Sequence, residues 1–68
     1  MIEIQTTFGT ARIVPVNDGW FAVYVPWRVA GGNFNPRLGT HVGQDRSEAA
    51  ARDCIRLAVE QREQLGPK

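Results

Sequence analysis

The segment Asn17-Asp18-Gly19 constrains the fold of this chain more than any other feature of its sequence. An Asp-Gly pair supplies the positive φ angles that a tight β-hairpin turn requires. The residues that follow, 20–25, are rich in aromatic and β-branched side chains, which are typical of strands. We therefore predict an antiparallel hairpin whose turn lies at residues 17–19.

Two patterns predict the strands that precede this turn. Residues 2–7 alternate between apolar isoleucines and polar side chains, as a half-buried strand does. A turn at residues 8 and 9 separates that segment from a second strand at residues 11–16. Pro15 indicates an edge strand or the end of a strand, because proline cannot donate a backbone hydrogen bond.

The chain after the third strand is less regular. We predict that this strand spans residues 20–25 and that it continues as far as residue 29 in its longest form. Residues 30–36, with two glycines, two asparagines and a proline, predict a loop. Residues 37–42 are compatible with a short fourth strand, and the sequence leaves open whether they pair.

The spacing of apolar residues becomes helical near residue 45. Asp45-Arg46-Ser47-Glu48 predicts a capping box, in which Asp45 accepts from the backbone of Glu48 and Glu48 reaches back. Residues 49–65 are mostly helix formers, and Gly66-Pro67 is a stop signal. The predicted inward face consists of Ala50, Cys54, Leu57, Ala58, Gln61 and Leu65, with Ala51 and Ile55 at its margin.

The order of these elements predicts an α+β fold, an antiparallel β-meander of three or four strands packed on one C-terminal α-helix. The 68 residues allow one domain, which we place at residues 1–66, with residues 67–68 as a tail. A domain this short buries only about 60% of its unfolded surface. Self-association as a homodimer, or a partner, would add to that burial.

Cysteine and histidine usage excludes several classes of function. One cysteine, Cys54, and one histidine, His41, exclude a disulfide framework and a four-ligand zinc site within one chain. A catalytic pairing of these two residues is disfavoured, because Cys54 falls on the inward helix face and His41 at a strand end. We therefore expect no metal, no cofactor and no enzymatic activity.

The termini and the hydropathy of the chain predict a cytoplasmic protein. Residues 1–5 lack the basic and long apolar regions of a signal peptide. No apolar run approaches the roughly 18 residues of a membrane span. The lone cysteine is in keeping with a reducing compartment.

The third strand carries the candidate binding residues. One of its sides, Phe21, Val23, Val25, Trp27 and Val29, is continuously apolar and is predicted to face the helix. The other side leaves Trp20, Tyr24 and Arg28 on an open face, which Arg12 and Arg37 from neighbouring strands would join. The alternative is that Trp20 and Tyr24 pack beneath the N-terminal strand or the 30–36 loop.

Residues from 19 onward resemble a known three-strand-plus-helix DNA-binding pattern. The segments are Gly19 to Val25, Arg37 to His41 and the capped Asp45 to Ala50. They are similar to the DNA-binding domain of plant ethylene-response factors and to the arm-type DNA-binding domain of phage integrases, over roughly residues 11–65. The resemblance implies that the sheet enters the major groove. It also implies that Trp20, Arg28 and Arg37 contact DNA.

A second resemblance is to HicB-like antitoxins. It rests on the Asp18-Gly19 turn, on the aromatic strand from Trp20 to Pro26, and on the acidic cap that precedes Glu48-Ala49-Ala50. It implies a protein partner in place of DNA.

Two functional predictions follow from these residues. The first is a domain that binds DNA through its open sheet face, and the second is a protein-binding module. The second would be antitoxin-like, or a small phage or mobile-element inhibitor of a larger complex. The net charge of +1 gives no bulk electrostatic support to the first. Phe34, at the tip of the glycine-rich loop, favours the second, because an exposed aromatic suits insertion into a partner's pocket.

Overall fold

The computed structural model describes residues 1–65, which form an antiparallel β-sheet and one C-terminal helix. Along the chain these elements are β1 (Ile2–Thr6), β2 (Gly9–Pro15), β3 (Phe21–Val25), β4 (Asn33–Asn35), β5 (Gly39–Asp45) and α1 (Glu48–Gln64). The α+β prediction is confirmed. The predicted stop signal at Gly66-Pro67 and the tail lie outside the described residues.

The sheet has five strands in the order β1-β2-β3-β5-β4, so the prediction of three or four strands is too low. It is also not a simple meander, because β5 lies between β3 and β4. The loop predicted at residues 30–36 contains β4, where Asn33 to Asn35 pair with His41 to Gly39. The strand predicted at residues 37–42 does pair, but it is shifted to Gly39–Asp45.

The predicted turn at residues 17–19 connects β2 to β3. Asp18 has φ 65° and Gly19 has φ 77°, the positive values that an Asp-Gly pair favours. The backbone N–H of Val16 donates to the carbonyl oxygen of Trp20 at 2.8 Å and closes the turn. The hairpin prediction is confirmed, with the β3 strand ending at Val25.

The core lies between the helix and one side of the sheet. Ile13 of β2 pairs with Val23 of β3, and both side chains are fully buried, as is Val25. Trp27 and Val29, which follow β3, pack against the same core. The predicted apolar side of the third strand is therefore confirmed as the side that faces the helix.

The inward face of α1 is rotated relative to the prediction. Its buried residues are Ala51, Ile55 and Ala58, at the i, i+4, i+7 spacing of one helix face. Leu57, predicted to lie inward, is 46% exposed. The helix crosses β3 and β5 with small side chains at the contact, and these permit a closer approach than a leucine would.

The cap of α1 also differs from the prediction. Ser47 is the N-cap, and its hydroxyl accepts a hydrogen bond from the backbone of Ala50 at 3.3 Å. Asp45 is the last residue of β5, and its carboxylate accepts from the backbone of Ser47 at 3.0 Å. Glu48 forms an ion pair with Arg52 and does not complete a capping box.

A buried threonine fixes the segment that links β3 to β4. Thr40 is 1% exposed, and its hydroxyl donates to the carbonyl oxygen of Trp27 at 2.5 Å. Gly39, just before it, has φ 111°, and a Cβ at this position would collide with the carbonyl oxygen of Val25. Strand β5 can therefore lie directly against the end of β3 only because position 39 has no side chain.

Candidate binding surface on the open side of the sheet

A row of residues crosses all five strands in register on the side of the sheet away from the helix. Glu3 pairs with Arg12, Arg12 with Tyr24, Tyr24 with His41, and His41 with Asn33. Cross-strand partners project to the same side of a sheet. The buried residues that alternate with them in β2 and β3 point to the helix. We call the side that carries this row the open face.

Side chains within the row contact one another. The Arg12 Nε atom lies 3.6 Å from the Glu3 Oε2 atom, and the two side chains are 30% and 60% exposed. The rings of Tyr24 and His41 meet edge to face, with centroids 5.4 Å apart. The row therefore combines one cation, one anion and two adjoining flat rings on a rigid support.

An aromatic–cation contact lies next to the first residue of β3. Phe21 pairs with Asp45, so the next residues outward, Trp20 and Arg46, continue the open face. The guanidinium carbon of Arg46 lies 4.7 Å from the centroid of the Trp20 ring. This distance is typical of a cation–π contact. Trp20 is partly exposed, and Arg46 is exposed.

Three of the six candidate residues lie on the open face. Arg12 and Tyr24 are direct cross-strand partners, and Trp20 lies on the same side at the beginning of β3. Trp20 and Tyr24 contact Arg46 and His41, and both aromatic residues stay partly exposed. The alternative, that these aromatic residues pack beneath the N-terminal strand or the 30–36 loop, stays a prediction, since both residues are half-buried.

Arg28 and Phe34 lie elsewhere in the molecule. Arg28 follows the end of β3, and its guanidinium carbon lies 4.1 Å from the centroid of the Phe34 ring. Phe34 pairs with Thr40, and Thr40 pairs with Val25, so the register places Phe34 on the helix side. These two candidates thus form a separate exposed pair at the β4 edge of the sheet.

Arg37 occupies the turn between β4 and β5. Its backbone N–H donates to the side-chain oxygen of Asn35 at 2.7 Å, and the residue is exposed. The expectation that Arg37 joins the open face from a neighbouring strand is wrong, because β5 begins only at Gly39. The side chain belongs to the tip of a hairpin.

The sequence prediction missed two members of the open face, His41 and Arg46. His41 was interpreted as a strand-end residue, yet it lies within β5 opposite Tyr24. The pairing of β3 with β5 shifts register between Val23 and Tyr24, and this irregularity sets which β5 residue faces Tyr24. A register shift of this kind has no signature in the sequence.

The helix side carries a second surface, a groove of about 840 Å³ between the C-terminal half of α1 and the segment that follows β3. Its apolar lining includes Trp27, Val29, Leu57 and Leu65. Leu57 is 46% exposed and Leu65 is 79% exposed. Arg28 also lines this groove, and so does His41, whose ring contacts Tyr24 on the open face.

The chemistry of the described residues offers little else. Within residues 1–65, no three histidine, cysteine or acidic side chains come close enough together to hold a metal ion. No helix in the same range has the length and apolar character needed to cross a membrane. A scan against family models and searches of curated proteins and of solved structures find no match to this chain. Both family resemblances stay predictions.

Proposed function

We propose that this chain is a small non-catalytic domain that binds nucleic acid, and DNA in particular, through the open face of its sheet. The in-register row from Glu3 to Asn33 supports the proposal most directly. It provides a continuous track across the whole sheet, with two adjoining rings at its centre.

The rings supply the contact that does not depend on base identity. Tyr24 and His41 lie at the middle of the row, and Trp20 lies at one end of β3. Flat aromatic side chains on a sheet stack against unpaired bases. Each stacked base contributes about 1–3 kcal/mol, as measured by alanine substitution.

Two arginines flank these rings and would contact phosphates. Arg12 lies in the row, and Arg46 lies over Trp20. A guanidinium presents a planar fork that matches phosphate oxygens. Since only two arginines contribute, the logarithm of the DNA association constant should fall with the logarithm of salt with a slope of about −1.8 for duplex DNA.

The first experiment titrates random-sequence duplex and single-stranded DNA with the full chain across a range of salt concentrations. We expect micromolar binding at low salt, weakening with the slope of about −1.8 for duplex and about −1.4 for single strands that two phosphate contacts predict. Absence of binding at low salt would remove the nucleic-acid proposal. Tighter binding of single strands than of duplex would assign stacking the larger share of the affinity.

DNA binding by matched variants tests whether the site lies on the open face. Tyr24→Ala should weaken binding by roughly 5- to 150-fold, the equivalent of one lost stacked base. Arg46→Ala should weaken binding and lower the salt slope by about one. Arg52→Ala is the control, because Arg52 is an exposed arginine of α1, on the helix side of the sheet, and is ion-paired with Glu48. Equal losses for Arg46→Ala and Arg52→Ala would contradict an open-face site.

A protein-binding function is the second candidate, and the helix-side groove is the observation that favours it. This module would be antitoxin-like or a small phage or mobile-element inhibitor, with Leu57 and the Arg28–Phe34 pair as its contacts. If so, Phe34→Ala and Leu57→Ser should abolish formation of a stoichiometric complex, whereas Tyr24→Ala should leave it intact. The opposite pattern would assign any protein partner to the open face.

A further inference from the structure

The two edges of the sheet differ in how well they are protected. Strand β4 forms one edge with only three residues, flanked by Gly31-Gly32 on one side and by Pro36 on the other. Short strands and nearby prolines prevent an edge from pairing with another chain. The β4 edge is therefore poorly suited to extension by a further strand.

Strand β1 forms the other edge and has none of these features. It has five residues, Ile-Glu-Ile-Gln-Thr, and all five pair with β2 without a register shift. It contains no proline, no lysine and no bulge. Half of its backbone N–H and C=O groups point away from β2, as they do at any antiparallel edge, and this row of groups is a template for another strand.

The helix leaves the β1 edge incompletely covered. Helix α1 packs mainly over β3 and β5. A groove of about 470 Å³ lies between β1 and the helix, and Ile4, Ile55 and Val59 are among its apolar lining residues. Ile2 and Ile4 are consequently only half-buried. Added apolar surface beside β1 would complete their burial.

We propose that two copies of this chain associate through β1, paired antiparallel about a two-fold axis at Ile4. Ile4 then faces Ile4, Glu3 of one copy faces Gln5 of the other, and Ile2 of one copy faces Thr6 of the other. The two five-stranded sheets become one continuous sheet with both helices on the same side. This inference is independent of the nucleic-acid proposal.

The sequence of β1 is the reason to assign a second copy as the occupant. With the axis at Ile4, the single charge of the strand, Glu3, faces a neutral Gln5, so no like charges oppose each other. On the helix side, Ile4 and its partner Ala11 of one copy lie beside the same two residues of the other copy. The apolar surface on that side therefore continues across the two-fold axis. A shift of the axis to Glu3 would place two carboxylates opposite each other, which disfavours that register.

Sedimentation equilibrium of the full chain from micromolar to millimolar concentration tests this pairing. We expect a monomer–dimer equilibrium. Gln5→Glu places a carboxylate opposite Glu3 twice by symmetry and should raise the dimer dissociation constant roughly 3- to 30-fold. The double variant E3Q/Q5E restores one neutral and one charged residue in each pair and should recover the original affinity.

The monomer should tolerate these changes, so a loss of dimer is interpretable. Gln5 is exposed, and its Oε1 atom accepts from the Thr10 hydroxyl at 3.3 Å, which a carboxylate also does. Gln44→Glu is the matched control, an exposed glutamine on β5 far from the β1 edge. A chain that stays monomeric throughout overturns the proposal. A dimer that is insensitive to Gln5→Glu, or equally sensitive to Gln44→Glu, also overturns it. Failure of E3Q/Q5E to restore the dimer overturns the Ile4-centred register.

Discussion

The two sides of the sheet use neighbouring residues of the same strands for different purposes. On the helix side, Ile13 and Val23 are fully buried and hold the fold together. On the open face, their chain neighbours Arg12 and Tyr24 stay partly exposed and contact other polar or aromatic side chains. Under the proposed function, neighbouring residues of one strand serve stability and binding separately, which makes the two properties independently testable.

The largest expected effect comes from substitution on the helix side. Ile13→Ala removes a fully buried side chain and should lower the free energy of unfolding by about 2–5 kcal/mol, since it combines lost burial with a cavity. Arg12→Ala, one residue away, should cost less than about 1 kcal/mol. Urea unfolding of the full chain measures both. Similar losses in the free energy of unfolding for the two variants would contradict the assignment of stability to the helix side of the sheet.

The prediction of these two sides from the sequence succeeded because the alternation in β3 is regular. Val23 and Val25 are purely apolar positions, and the Asp18-Gly19 turn fixes where the strand begins. The prediction for Arg28 failed because β3 ends at Val25, and Arg28 lies against Phe34 at the β4 edge although Trp27 and Val29 still pack against the core. Beyond that point the chain path is set by tertiary contacts such as the Thr40–Trp27 hydrogen bond.

Other departures have equally local causes. Asn33 and Asn35 have low strand propensity, so β4 exists through its pairing with β5 and not through its own composition. The predicted helix face is rotated: Ala51 and Ile55, placed at its margin, are buried, whereas Leu57, placed inward, is exposed. His41 entered the open face through a register shift that composition does not encode.

Thr40 sharpens the comparison because it is a polar residue buried on the core side. Thr40→Val keeps the shape of the side chain and removes the hydroxyl that donates to the Trp27 carbonyl oxygen. The carbonyl would lose this partner, so we expect a loss of about 1–3 kcal/mol in the free energy of unfolding. Chemical denaturation measures it, with Thr10→Val, at a partly exposed position, as the control. Equal stability of T40V and the parent chain would show that this hydrogen bond does not hold the 26–32 segment.

Substitutions at Ser47, the N-cap of α1, test how much the cap of the helix contributes to stability. Ser47→Ala removes the hydroxyl that accepts from the backbone of Ala50, and we expect a loss of about 1 kcal/mol. Ser47→Gly should lower the free energy of unfolding by only about a few tenths of a kcal/mol, because glycine is itself favoured at an N-cap. Thermal unfolding followed by circular dichroism compares the two. If the alanine variant is as stable as the glycine variant, the hydrogen bond from the Ala50 backbone to the Ser47 hydroxyl contributes little to stability.

The smallest stability effect, and the most informative contrast with Ile13, is expected at Glu3 on the open face. Glu3→Gln removes an exposed carboxylate that lies 3.6 Å from Arg12. Exposed pairs of this kind contribute little, so the free energy of unfolding should change by less than about 0.5 kcal/mol. DNA affinity should nevertheless rise, because Arg12 loses its competing anion and the row loses its only negative charge. A salt titration of DNA binding, alongside urea unfolding, measures both quantities. A fall in DNA affinity at unchanged stability would mean that Glu3 itself contacts the DNA, and would contradict the view that Glu3 competes with phosphate for Arg12.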